Sequence, residues 1–75
     1  MKIQVKMIGH FIYEAGFSEK EVEAHETITL AELLSLLKLN RGRPRVVTRN
    51  GRAIAPTEKL QDGDRIVISP LYSGG

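Results

Sequence analysis

The 75-residue sequence predicts an α+β fold, in which one amphipathic helix packs across one face of a mixed sheet of four to five strands. Three observations point there. Two stretches near the N-terminus alternate apolar and polar residues, the period of half-buried strands. One leucine stripe at helical spacing follows them. The second half then divides into short apolar runs separated by Asn50-Gly51 and Asp62-Gly63-Asp64, residue types that turn a chain.

Met1, Ile3, Val5 and Met7 alternate with Lys2, Gln4 and Lys6 to give the first strand, which Gly9 ends. His10 to Ser18 is mixed and contains Gly16, so it reads as a loop with one helical turn around Phe11-Ile12-Tyr13. Alternation returns from Lys20 to Ile28, with Val22, Ala24 and Ile28 on one side and Glu21, Glu23 and His25 on the other. An antiparallel place beside the first strand is natural for it. The helix is the clearest element. Thr29 is an N-cap and Glu32, three residues on, completes a capping box. Leu30, Leu33, Leu34 and Leu37 share one face. Lys38 suits the C-terminal dipole, Asn40 or Gly42 supplies the left-handed stop, and Pro44 prevents continuation.

Arg45 to Arg49 forms a short strand around Val46 and Val47, and Asn50-Gly51 turns it back into Arg52 to Ala55, which Pro56 ends. Leu60 reads as a single apolar anchor beneath a loop. Arg65 to Ser69 is the last strand, and Pro70, lacking an N–H, marks where pairing stops. With one helix between these strands, the first and last become central and parallel. The chain then leaves from the middle of the sheet, giving a body over residues 1–69 and a flexible tail over 70–75.

Composition excludes several chemistries. With no cysteine there is no disulfide, thiolate metal site, iron–sulfur cluster or cysteine nucleophile. No stretch approaches the ~18 apolar residues of a membrane span, and no signal-peptide core is present, so the expectation is a soluble, cytoplasmic protein with no membrane partner. Asp62 and Asp64 read as turn residues rather than metal ligands, and no metal is expected. His10 and His25 have no nucleophile to serve and read as surface or loop residues. The Phe11-Ile12-Tyr13 group is either a lid on the core or a partner contact. Net charge is +2, yet residues 1–40 carry −2 and residues 41–75 carry +4. Arg41, Arg43, Arg45, Arg49 and Arg52 concentrate that charge. It forms a solvated edge, docks an acidic partner, or, in a reading of a different class, binds RNA through a small basic module. The stretch lacks the stacking aromatics that single-strand binders use, which argues against nucleic acid.

The sequence closes on Ser73-Gly74-Gly75. Neither glycine has a Cβ, so this backbone can thread a narrow channel and present a carboxylate that a partner enzyme can activate.

The opening strand, the Thr-Leu-Ala-Glu-Leu-Leu helix, Val-Val-x-x-Asn-Gly, Leu60-Gln61-Asp62-Gly63-Asp64-Arg65-Ile66 and the closing Gly-Gly together resemble the MoaD/ThiS sulfur carriers across the whole chain. No single motif is specific; their order, spacing and coincidence with the last residue make the likeness. The resemblance implies a ubiquitin-like β-grasp fold. It implies that Gly75 is adenylated on its carboxylate by a ubiquitin-activating-type (MoeB/ThiF-like) enzyme using ATP, and then becomes a thiocarboxylate that donates sulfur in cofactor biosynthesis. The chain would be a cosubstrate, not an enzyme, with no cofactor of its own. Gly74 would give access, and Ser73, Tyr72 and Leu71 would be gripped by the partner. The Ile8–Gly16 loop and Pro70-Leu71-Tyr72-Ser73-Gly74-Gly75 look like the molybdopterin synthase small subunit, which implies its large subunit as partner. Leu71 stands where that branch commonly has a second proline, and Tyr72 where a smaller apolar residue is usual. Asn50-Gly51-Arg52 and the modest length fit the thiamine-pathway carrier, partner of thiazole synthase, equally well. A ubiquitin-like modifier joined to lysines would use the same activated Gly75.

Overall fold

The computed structural model describes residues 1–39 and 45–71. Its elements are β1 (Lys2–Met7), α1 (Phe11–Ala15), β2 (Glu19–Glu23), α2 (Leu30–Leu36), β3 (Arg45–Arg49), β4 (Arg52–Ala53) and β5 (Arg65–Pro70). The five strands form one mixed sheet in the order β2-β1-β5-β3-β4. β1 and β5 are central and parallel, with Val5 opposite Ile66 and Met7 opposite Ile68, and their other neighbours run antiparallel. The fold is α+β and ubiquitin-like.

Alternation along the strands decides what is buried. Ile3, Val5 and Met7 of β1 and Ile66 and Ile68 of β5 all face inward at 2 % exposure or less, against Leu30 and Leu33 of α2 and Phe11 of α1. The opposite face carries Lys2, Gln4 and Lys6 beside Glu23, Glu21 and Glu19 of β2. These charges keep the exposed edge strand β2 from pairing with another chain.

The N-terminus of α2 is fully provided for. Thr29 Oγ1 accepts from the Glu32 amide and Glu32 Oε1 accepts from the Thr29 amide, the reciprocal capping box. The Leu30 and Ala31 amides, which have no partner within the helix, donate to the Glu58 and Pro56 carbonyls. Leu60, buried beneath this loop, donates its amide to Ile28 O and pins the loop in place.

Several boundaries differ from the sequence reading. The turn at Phe11 is a helix, so there are two helices rather than one, and α1 seats Phe11 in the core. β2 stops at Glu23 because β1 has no residue left to pair: the Ala24 amide meets Met1 O and the chain turns away. α2 closes at Lys38, which itself takes the left-handed conformation at φ 57; Asn40, Gly42 and Pro44 lie outside the described residues. β4 ends at Ala53, since Glu58 Oε2 captures the Ala55 amide at 2.7 Å and bends the chain. β5 extends through Pro70, which stands opposite Arg45.

Polar contacts fix the start of the parallel pair. Lys2 N donates to Asp62 Oδ1, Gly63 N to Lys2 O and Gln4 N to Asp64 O. Asp64 is itself buried. Its carboxylate accepts from Gln61 N at 2.8 Å and Asn50 Nδ2 at 3.2 Å, with Arg49 Nη1 at 3.8 Å. Asn50 Oδ1 in turn accepts from Arg65 N. The Asn50-Gly51 turn has φ 51 and 87, the paired positive values of a two-residue hairpin between Arg49 and Arg52. Asp64→Ala would remove the acceptor shared by Gln61 N and Asn50 Nδ2 and is expected to cost about 1–3 kcal/mol in urea unfolding. Asp62→Ala, at an exposed bond, is expected to cost under about 1 kcal/mol in the same measurement.

Candidate functional site

The point where the chain leaves the sheet is built by three strands. Met7, Ile68 and Val47 form a row on the helix side of the sheet, where Met7 and Ile68 are buried. One step further along, side chains turn to the other face. There Ser69 pairs with Val46, and Ile8 donates its amide to Ile68 O at 2.9 Å. Ile8 is 37 % exposed, Val46 36 % and Leu71, just past Pro70, 50 %. Three large apolar side chains are therefore partly exposed around the root of the tail. The Ser69 hydroxyl, donating to Val46 O at 3.4 Å, is the polar member of the row. Such a set supplies contact area for a partner.

Leu71 is thus placed beside this row. Tyr72, Ser73, Gly74 and Gly75 lie outside the described residues. Of the Phe11-Ile12-Tyr13 group, Phe11 is in the core, Ile12 packs against it, and Tyr13 is 88 % exposed. His10 packs against Phe11 with ring centroids 4.3 Å apart and planes tilted by 46°, and its Nε2 is 3.7 Å from Glu14 Oε2. His25 is exposed.

The described arginines are used differently from one another. Arg49 lies on the helix side and is spent internally: Nη1 donates to Lys59 O at 2.9 Å and Nη2 to Glu58 Oε1 at 3.3 Å. Arg45 is half-buried and Arg52 exposed, while Arg41 and Arg43 lie outside the described residues. Asp62 and Asp64 are occupied as acceptors for backbone amides, the turn role foreseen for them. Among the described residues no cluster of three His, Asp or Glu is arranged to hold a metal, and no helix is long and apolar enough to cross a membrane.

Ile8 and Val46 escaped the sequence reading, though both left a signal. Ile8 follows Met7 and so breaks the strict alternation with an apolar residue on the polar side. Val46 and Val47 are consecutive in a strand, which places one of them on each face.

A family model described as the ThiS family matches residues 5–75. Among solved structures, the chain is similar to a Caldiarchaeum subterraneum ubiquitin, at 27 % identity and TM-score 0.62, covering 100 % of this chain and 98 % of that one. It is similar to a protein assigned as molybdopterin converting factor, subunit 1, from Pyrococcus furiosus, at 25 % identity and TM-score 0.81, covering 93 % and 97 %. It also shares its fold with a chain of the complex between subunits 1 and 2 of the molybdopterin-converting factor from Helicobacter pylori, at 23 % identity and TM-score 0.68, covering 100 % of both.

Because Ile8 and Val46 keep about a third of their surface exposed and stand outside the core, replacing both by Ser is expected to cost about 1–2 kcal/mol in chemical denaturation. Ile68→Ala, in the neighbouring buried row, is expected to cost about 2–5 kcal/mol.

Proposed function

The chain belongs to the ThiS family of ubiquitin-like sulfur carriers and modifiers, and we propose that it carries sulfur on the carboxylate of Gly75. What supports this reading is that the family match runs through Gly75 while the body delivers the tail from the central strand, beside an apolar docking row.

The chemistry follows from what a carboxylate lacks. Its charge is delocalised and its oxygen is a poor leaving group, so it must be energised first. A ubiquitin-activating-type enzyme would direct a Gly75 carboxylate oxygen at the α-phosphorus of ATP, releasing pyrophosphate and leaving an acyl-adenylate. A sulfide-level nucleophile then adds to the acyl carbon and expels AMP, and the product is a thiocarboxylate. Gly74 and Gly75 would let the backbone enter the activating site, because neither presents a Cβ to its walls. Ser73, Tyr72 and Leu71 would be held by the partner, and the outer row of Ile8 and Val46 would extend that grip onto the body. Proximity and electrostatic stabilisation belong to the partner. The chain acts as a cosubstrate.

We favour molybdopterin synthesis as the destination, with the large synthase subunit as acceptor. The likeness to a protein assigned as molybdopterin converting factor, subunit 1, favours it, as does the Ile8–Gly16 segment. Thiazole synthase in the thiamine pathway is the alternative acceptor. The likeness to a ubiquitin favours one further reading, in which a lysine amine rather than sulfide attacks the same adenylate. The internal use of Arg49 removes a cation from any RNA-binding surface.

Incubation with the cognate activating enzyme, ATP and sulfide is expected to give a species heavier by one sulfur-for-oxygen exchange, localised to the C-terminal peptide by mass spectrometry. Gly75→Ala, or one residue appended after Gly75, is expected to abolish that species while unfolding stays unchanged. Transfer that survives the added residue would refute the role given to Gly75.

A further inference from the structure

Gly9 lies between β1 and α1 with φ 62, a left-handed conformation. A Cβ placed there would stand 2.9 Å from Pro70 Cγ and 3.4 Å from Pro70 Cδ, and the first distance is closer than real Cβ contacts come. The missing side chain is therefore what lets the proline ring settle against this loop. Gly9 itself has little room to retreat. The preceding residue is tied to β5 by Ile8 N to Ile68 O at 2.9 Å, and the Gly9 carbonyl accepts from Ile12 N at 3.1 Å. Pro70 has no N–H to hold it in the ladder. Of the two sides of the contact, Pro70 is the one that would yield.

Pro70 is also the last residue of β5, and its ring fixes its own φ near −65°. The direction in which Leu71 and the residues after it depart is thus set by a ring seated on Gly9. We propose that Gly9 is a positioning residue for the reaction at Gly75, aiming the tail into the activating site by holding Pro70 in place. This inference rests on the carrier reading above. A displaced ring redirects the bond by which Leu71 leaves, a tilt at the root of the five residues that end in the reacting carboxylate. Misplacement of a reacting group by ~1 Å can cost ~10²-fold in rate. Ile8 and Val46, the part of the docking row carried by the body, are untouched by such a tilt, so the larger defect belongs in turnover.

The test is a double-mutant cycle, read as kcat and KM for thiocarboxylate formation by the activating enzyme. Gly9→Ala is expected to lower kcat by at least ~10-fold with KM within ~2-fold of the parent. Pro70→Ala alone, which removes the ring and keeps Gly9, is expected to lower kcat with KM likewise unchanged. Adding Gly9→Ala to Pro70→Ala is expected to change kcat by less than ~2-fold further, because the clash has gone. Gly16→Ala is the matched control. It carries the same left-handed penalty at φ 84 with nothing within 4 Å of the added Cβ. It is expected to leave both constants within ~2-fold.

Wild-type kcat in Gly9→Ala, an equal loss in Gly16→Ala, or a Gly9→Ala loss that persists in the Pro70→Ala background would each overturn the assignment. The orientation itself is read without turnover. Backbone residual dipolar couplings of Leu71 are expected to change in Gly9→Ala and not in Gly16→Ala, and an unmoved Leu71 would also overturn it. A wild-type chain that never gains sulfur would instead sink the carrier reading, leaving the couplings to decide on Gly9.

Discussion

Parallel pairing of β1 with β5 is the constraint on which the rest depends. Two strands at opposite ends of a chain meet only after a long loop has closed, and nothing in a parallel ladder sets the register as a hairpin turn would. Here the register is set at both ends by other bonds. Asp62, Gly63 and Asp64 hold the start of β5 against Lys2 and Gln4, and Ile8 N holds the far end against Ile68 O. A slip of one residue would send Ile66 and Ile68 to the solvent face and empty the core. The buried Asp64 is therefore a polar group with a structural purpose, satisfied from Gln61, Asn50 and Arg49 together.

That same pairing decides where the chain departs. Because β5 is central, its last residues are flanked on both sides, and the tail starts from a platform rather than a free edge. The outer row of Ile8 and Val46 with Leu71 gives the platform apolar area, while the Glu-rich edge at β2 stays charged. The helix side of the sheet carries the core and the bonds between α2 and the 56–60 loop. The division of labour is plain: one face makes the body, and the other, on the proposed function, meets the partner that works on Gly75.

Sequence legibility followed the locality of each signal. The capping box and stripe of α2, the alternation of β1 and the Asn50-Gly51 turn all rest on neighbours within a few residues, and each is present in the structure. The central, parallel placement of β1 and β5 was legible from element order alone. Boundaries set by distant partners were not. β2 stops where β1 runs out at Met1, β4 stops where Glu58 takes the Ala55 amide, and Lys38 closes α2 with a left-handed turn that lysine does not advertise. The capture of Arg49 by Glu58, Lys59 and Asp64 could not be seen because charge counting treats every arginine as free. At the candidate site, Leu71 was named from the tail, whereas Ile8 and Val46 became meaningful only once the pairing put them in one row. Gly9 looked like a strand terminator, and its closeness to Pro70 crosses some sixty residues of chain.

If the body exists to offer its tail from the outer face, an activating enzyme must touch that face and leave the helix side alone. Titrating the isotopically labelled chain with the activating enzyme and following amide chemical shifts tests this directly. Perturbations are expected at Ile8, Val46, Ser69 and Leu71 and through the residues that follow, with α2 unmoved. Shifts confined to α2 and the 56–60 loop, with Ile8, Val46 and Leu71 silent, would contradict the account.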